Sequence, residues 1–214
     1  VVPEFVPGLQ LSREFYATAV RPLLAEQFPR VPYAAALLGP GSEVAGFDSQ
    51  RSTDHDWGPR LQIFLPDRDA DRHAAVLTTM LASRLPESFR GYPVAFPVTR
   101  GPGTVRHRVQ VTALGTWLTS HLGFDPRHAV TLLDWLATPA QRLAEFTTGE
   151  VFHDGPGELS RARAAMAWYP ATCGCTCWPV SGSVSGRRKP FPAGARRPAM
   201  TSARPSSLPA WPAT

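Results

Sequence analysis

The chain has 214 residues, 43% hydrophobic and 10% aromatic, enough to bury a core in one or two domains. Its net charge of +5 is uneven: residues 1–170 carry 16 Arg against 17 acids, whereas residues 171–214 carry six cations and no acid. That balance argues against a basic nucleic-acid face on the folded body, and no apolar run reaches the roughly 20 residues of a membrane span.

The first residues, VVPEFVPGLQ, show no basic start followed by an apolar stretch, so no secretory signal is expected and the location expected is cytoplasmic. Ser12 can cap a helix over residues 13–27, with Pro22 forcing a kink or two short helices. YAAALLG (33–39) reads as a buried strand ended by a Gly-Pro-Gly turn. DHDWGPRLQIFL (54–65) reads as a second strand, with a break at Gly58-Pro59. Residues 71–85 have helical spacing, with Ala75, Leu77, Met80, Leu81 and Leu85 mostly on one side. YPVAFPV and VRHRVQVTAL are further strands, the second alternating through Val105, His107, Val109 and Val111.

Helices follow. Residues 116–122 end at Gly123, Asp125-Pro126 opens the next helix, and Thr138-Pro139 repeats the device before AQRLAEF. The expected class is α+β to about residue 115, then a helical continuation over 116–170. Residues 171–214, rich in Pro, Ser, Arg and Gly, read as a disordered basic tail. All three cysteines, Cys173, Cys175 and Cys177, lie there. Their C-x-C-x-C spacing is a poor zinc signature, and three is odd for a disulfide framework.

The stretch with chemistry is GPGSEVAGFDSQRSTDHDWGPR. Residues two apart on a strand share a face, so Asp54 and Asp56 would present two carboxylates together, with His55 turned away. Two such charges call for a cation, and a hard ion such as Mg²⁺ takes carboxylate and phosphate oxygens. Gly41 lets the backbone approach a phosphate, and Ser42 can donate to it. The competing reading is a solvated loop with incidental acids. Smaller candidates are Arg60, reaching a phosphate or lying at the surface, and His153-Asp154, lining a cleft or forming a turn. His107 between two arginines reads as a solvated strand face, and Trp117, Trp135 and Trp168 read as core.

Apolar residue, Gly-Ser, eleven residues (43–53), then Asp-x-Asp is the pattern of the nucleotidyltransferase superfamily with the DNA polymerase β-like fold, which the chain resembles. More closely, FVPGLQLSREFYATAVRPLL, the stretch just quoted, HLGFDP, WLATPAQRLAEFTTGEVFHDG and WYP resemble a bacterial family catalogued as domain of unknown function 4037. The resemblance covers residues 5–170. It implies a nucleotidyltransferase-like mixed β-sheet with flanking helices. Asp54 and Asp56 would hold Mg²⁺ and act as the catalytic carboxylates, while Gly41, Ser42 and Arg60 would hold a nucleoside triphosphate. An acceptor hydroxyl, unspecified by the sequence, would attack the α-phosphorus. The superfamily also carries a third carboxylate on a later strand, where RHRVQVTAL offers Gln110 and no acid. Asp48 and Glu43 could substitute for it; without a third carboxylate, a catalytically inactive nucleotide-binding or interaction module is the alternative. No membrane or nucleic-acid partner is expected.

From Ala171 the resemblance ends. Codons built from the third base of one tail codon and the first two of the next turn Cys177-Trp178 into Leu and Trp178-Pro179 into Ala. Elsewhere they permit a helix with acids restored. The tail is therefore read as out of frame, and the chain as a truncated copy of the family's fuller length.

Overall fold

Pro22 cannot donate a backbone N–H, and the first helix absorbs it by a change of pitch. In the computed structural model, which describes residues 5–54, 57–97 and 105–168, α1 (Gly8–Phe15) runs into a π-helical turn over Tyr16–Val20. Helix α2 (Arg21–Gln27) then restarts with Pro22 in its first turn, where the missing donor costs least. The expected cap is corrected: Ser12 lies buried inside α1, and its hydroxyl accepts from the Arg60 N–H at 3.3 Å.

Strand β1 (Ala34–Leu37) leads through a tight loop into the short helix α3 (Ser42–Ala45), and a 3-10 turn spans Gln50–Asp54. Strand β2 covers only Leu61–Leu65, so the expected strand over 54–65 is shortened at Gly58-Pro59. Helix α4 (Asp67–Arg84) begins four residues before the expected start at Asp71, with Asp67 and Asp69 in its first turn, where carboxylates suit the helix dipole. Leu77 and Leu81 are buried on it, whereas Ala75 faces solvent.

A short strand not expected, β3 (Ser88–Phe89), comes first, and the two further strands break into pieces: β4 (Tyr92–Pro93) and β5 (Ala95–Pro97), then β6 (Val105–His107) and β7 (Val109–Ala113). Helix α5 (Leu114–Leu122) ends at Gly123, whose φ of 90° is the left-handed cap expected there. Asp125-Pro126 does not open a helix. Helix α6 (Leu132–Ala137) starts later, under a reciprocal capping box between Thr131 and Asp134. Helix α7 (Ala140–Thr147), strand β8 (Glu150–Asp154) and helix α8 (Glu158–Ala165) complete the described chain.

The sheet is mixed, in the order β7-β2-β1-β8. Strand β1 is antiparallel to both β2 and β8, and β2 is parallel to β7, with Gln62 opposite Gln110 in register. Period-2 alternation sends Leu61, Ile63 and Leu65 toward Phe15, Val20, Leu24, Leu77 and Leu81. Phe64 points the other way, into a second cluster with Trp117, Trp135, Leu143, Phe146, Leu159 and Met166. The helices after residue 116 thus share the sheet's core, and VFHD supplies its edge strand. Trp117 and Trp135 are core as expected, but Trp168 is 60% exposed. His107 is also corrected, being 9% exposed: its Nε2 lies 3.2 Å from the Thr78 carbonyl, and its Nδ1 accepts from the Val109 N–H. Among the described residues no helix is long and apolar enough to cross a membrane.

Candidate functional site

The loop after β1 is held by side-chain amide chemistry from the neighbouring strand. Buried Gln62 accepts from the Leu38 N–H at 3.0 Å and donates to the Leu38 carbonyl at 3.0 Å, replacing a strand's ladder partner. One residue on, the Gly39 N–H donates to the Glu145 carbonyl at 2.9 Å, so α7 fixes the loop from the opposite side. Gly41 then adopts φ 148°, and a Cβ there would collide with the Arg60 guanidinium and the Glu43 carboxylate. Gly41 and Ser42 remain exposed at the lip of a cleft of about 370 Å³ that also includes Ser52, Trp57, Arg60 and Arg108.

Arg60 is a clasp on this loop. Its Nε donates to Glu43 Oε1 at 2.5 Å and its Nη2 to the Pro40 carbonyl at 2.5 Å. Asp48, the other acid weighed as a metal ligand, accepts from the Gly8 N–H at the start of α1 at 2.6 Å. Both acids are therefore engaged in holding the loop. Trp57 packs against Phe5, and its indole N–H is buried without a hydrogen-bond partner among the described residues. Arg108 lies over the Phe96 ring at 4.8 Å, and Gln110, two residues on, is exposed.

The Asp-x-Asp motif is corrected in its local structure: the Asp54 backbone closes the 3-10 turn and is not on a strand. The Asp54 side chain, His55 and Asp56 lie outside the described residues. The structure thus brings Gly41, Ser42 and Arg60 into one cleft, and the chain re-enters that cleft from the motif at Trp57. Among the described residues no three His, Cys, Asp or Glu side chains gather as a metal site. His153 and Asp154 do not line this cleft: Asp154 accepts from the Gly157 and Ser160 N–H groups and holds the start of α8.

Two features carry no motif in the sequence. Arg127 ties Asp125, Asp67 and Glu158 together at 2.6, 2.5 and 2.8 Å, a junction between the starts of α4 and α8. Burial would push the Asp125 carboxyl up, but its hydrogen bonds to Arg127 outweigh that and hold it below the usual range. His121 stacks on Trp117 with ring centroids 4.7 Å apart, and burial lowers its pKa despite Glu145 nearby. Because the unfolded chain binds that proton more readily, stability present above about pH 6.5 is lost as pH falls toward the lower folded value. Urea unfolding at pH 7.5 and 5.5 is expected to show this loss, and His121→Phe to flatten it. An unchanged slope in the variant would remove His121 as its source.

The fold and cleft define a class: an α+β domain whose four-stranded mixed sheet presents an exposed Gly-Ser loop at the lip of a cleft. Residues 135–176 match the model of the family described as a domain of unknown function (DUF4037). The match covers α7, β8 and α8, and it ends six residues beyond the sequence resemblance. Comparison with curated proteins and with solved structures found no match.

Proposed function

We propose that this chain is a nucleotidyltransferase-like protein that binds a nucleoside triphosphate with Mg²⁺ at the Gly41-Ser42 cleft. The observation that carries the reading is topological. The Gly-Ser loop leaves the C-terminal end of β1, which adjoins the N-terminal ends of β2 and β7 because β1 runs against them. The 3-10 turn that ends at Asp54 precedes β2 in the chain, and β2 begins at that same end. Exposed Gly41 and Ser42 offer close backbone approach and a hydroxyl to phosphate oxygens. Arg108 and the Glu43-paired Arg60 also line the cleft.

The donor set fits one hard cation better than two. Asp54 and Asp56 would hold Mg²⁺, whereas Glu43 and Asp48 are occupied and the strand beside β2 presents Gln110. When bound, the ion would neutralise charge on the phosphate oxygens. In transfer, the acceptor oxygen would bond to the α-phosphorus, pyrophosphate would leave, and the acceptor proton would need a base. An amide is not one, so Gln110 favours a second reading, a nucleotide-binding module without transfer. Mg²⁺-dependent nucleotide binding that needs Asp54 and Asp56 tests the common part of both readings. Pyrophosphate release above background would then decide for transfer. A cytoplasmic location fits a cysteine-free folded body using nucleotides, as part of this proposal.

A further inference from the structure

A second hollow opens beside the Gly-Ser cleft, along the paired strands β2 and β7. It measures about 500 Å³ and shares Arg60 and Arg108 with the cleft. A molecule held there would be the immediate neighbour of a phosphate chain at Gly41-Ser42, which is the position an acceptor needs. Gln62 and Gln110, opposite each other in register, line the hollow together with Thr78 and His107.

No acid lines this hollow among the described residues. Gln62 commits its amide to the Leu38 N–H and carbonyl, and exposed Gln110 is an amide too, which does not accept a proton near pH 7. His107 has both nitrogens engaged: Nδ1 accepts from the Val109 N–H at 3.3 Å, so the proton sits on Nε2, 3.2 Å from the Thr78 carbonyl. Both arginines stay protonated. Glu43 and Asp48 are held by Arg60 and the Gly8 N–H. Residues 98–104, VTRGPGT, lie outside the described residues and contain no Asp, Glu or His, which leaves His55, also outside them, as the remaining candidate base. A hydroxyl acceptor keeps its proton at pH 7 and gains about 10²–10⁴-fold from a positioned base, help that this wall does not offer. A carboxylate, with a pKa of ~4, or a phosphate monoester, with a second pKa of ~6, arrives already ionised.

We propose that the acceptor is an oxyanion, a carboxylate or a phosphate, and not a hydroxyl. The inference rests on the Gly41-Ser42 nucleotide reading and names the class of its second substrate. The anionic oxygen donates an electron pair to the α-phosphorus. The bond from that phosphorus to the oxygen bridging the β-phosphorus breaks, and pyrophosphate leaves with that pair. The product is an anhydride, and no proton moves. Gln110 suits such an acceptor, because its exposed amide can donate to an oxyanion that a carboxylate in its place would repel.

The experiment measures pyrophosphate release by the full chain from MgATP and MgGTP, with acetate, inorganic phosphate or glycerol added in turn. Wild type is compared with Gln110→Glu, a change at an exposed residue. Acetate, phosphate or both are expected to raise release about tenfold or more above glycerol. Trapping of acetohydroxamate by hydroxylamine marks a carboxylate acceptor, and labelled phosphate entering a nucleoside diphosphate marks a phosphate acceptor. Gln110→Glu should reverse the preference, since the new carboxylate repels the anion and gives glycerol a base. Release with glycerol equal to that with the anions, or glycerol-dependent release lost in His55→Ala, overturns the proposal. No stimulation by either anion, while nucleotide still binds by calorimetry, overturns it too and leaves the nucleotide site standing. No nucleotide binding overturns the cleft reading, and the acceptor class falls with it.

Discussion

Phe146→Ala is expected to destabilise the fold by about 3–5 kcal/mol, the range for removing a fully buried aromatic ring from a packed core. Phe146 is fully buried on α7, and its ring centroid lies 6.2 Å from that of Trp117, which in turn meets Phe64 of β2 edge-on at 5.2 Å. The substitution therefore opens a cavity between the helical segment and the sheet. Just beyond it, the Arg163 guanidinium donates to the carbonyls of Phe146, Thr147 and Thr148, so the end of α7 cannot collapse freely into the gap. Urea unfolding measures the effect. A loss under about 1 kcal/mol would mean that these helices do not complete the sheet's core, since only sites that collapse well fall that low.

Gln62→Leu is the second large effect, expected at about 3 kcal/mol. Leucine keeps much of the volume but leaves the Leu38 N–H and carbonyl unpaired in a buried setting, and each orphaned group costs roughly 1–3 kcal/mol. The damage is local as well, because Leu38 is the residue before the Gly39-Pro40-Gly41 turn. Hydrogen exchange at Leu38 and Gly39 should accelerate more than at Ile63, which sits in the ladder and does not use the Gln62 side chain. Equal protection in the variant would show that the α7 contact to Gly39 holds the loop without help.

Much of the framework could be read from residues. The apolar runs of β1 and β2, the Pro22 interruption and the Gly123 stop each express a local rule that nothing distant overrides. What escaped reading was set by tertiary contacts. Ser12 looks like a cap because its side chain is a good one, yet the helix starts earlier and the Arg60 N–H, just before β2, donates to the hydroxyl. His107 looks solvated between two arginines, but strand alternation turns it inward to the Thr78 carbonyl. The edge strand β8 was hidden because HDG carries a turn signal, while pairing with β1 comes from residues more than a hundred positions away.

The candidate site divides in the same way. The exposed turn at Gly41-Ser42 was legible because a Gly-Pro-Gly run directly follows a buried strand. The Arg60 clasp was half legible, since its Glu43 partner lies within the same motif. The hold of α7 on the loop was not legible at all, since the two are about a hundred residues apart and nothing in AQRLAEF marks the Glu145 carbonyl as the acceptor for the Gly39 N–H.

The central claim is that nucleotide and Mg²⁺ meet at this cleft through Asp54 and Asp56. Calorimetric titration of the full chain with ATP and GTP, with and without Mg²⁺, compared with Asp54→Asn/Asp56→Asn, tests it most directly. The account predicts binding that needs Mg²⁺ and disappears in the double variant while the thermal melt stays cooperative. Binding that ignores both Mg²⁺ and the two aspartates, or none to a folded chain, would contradict it.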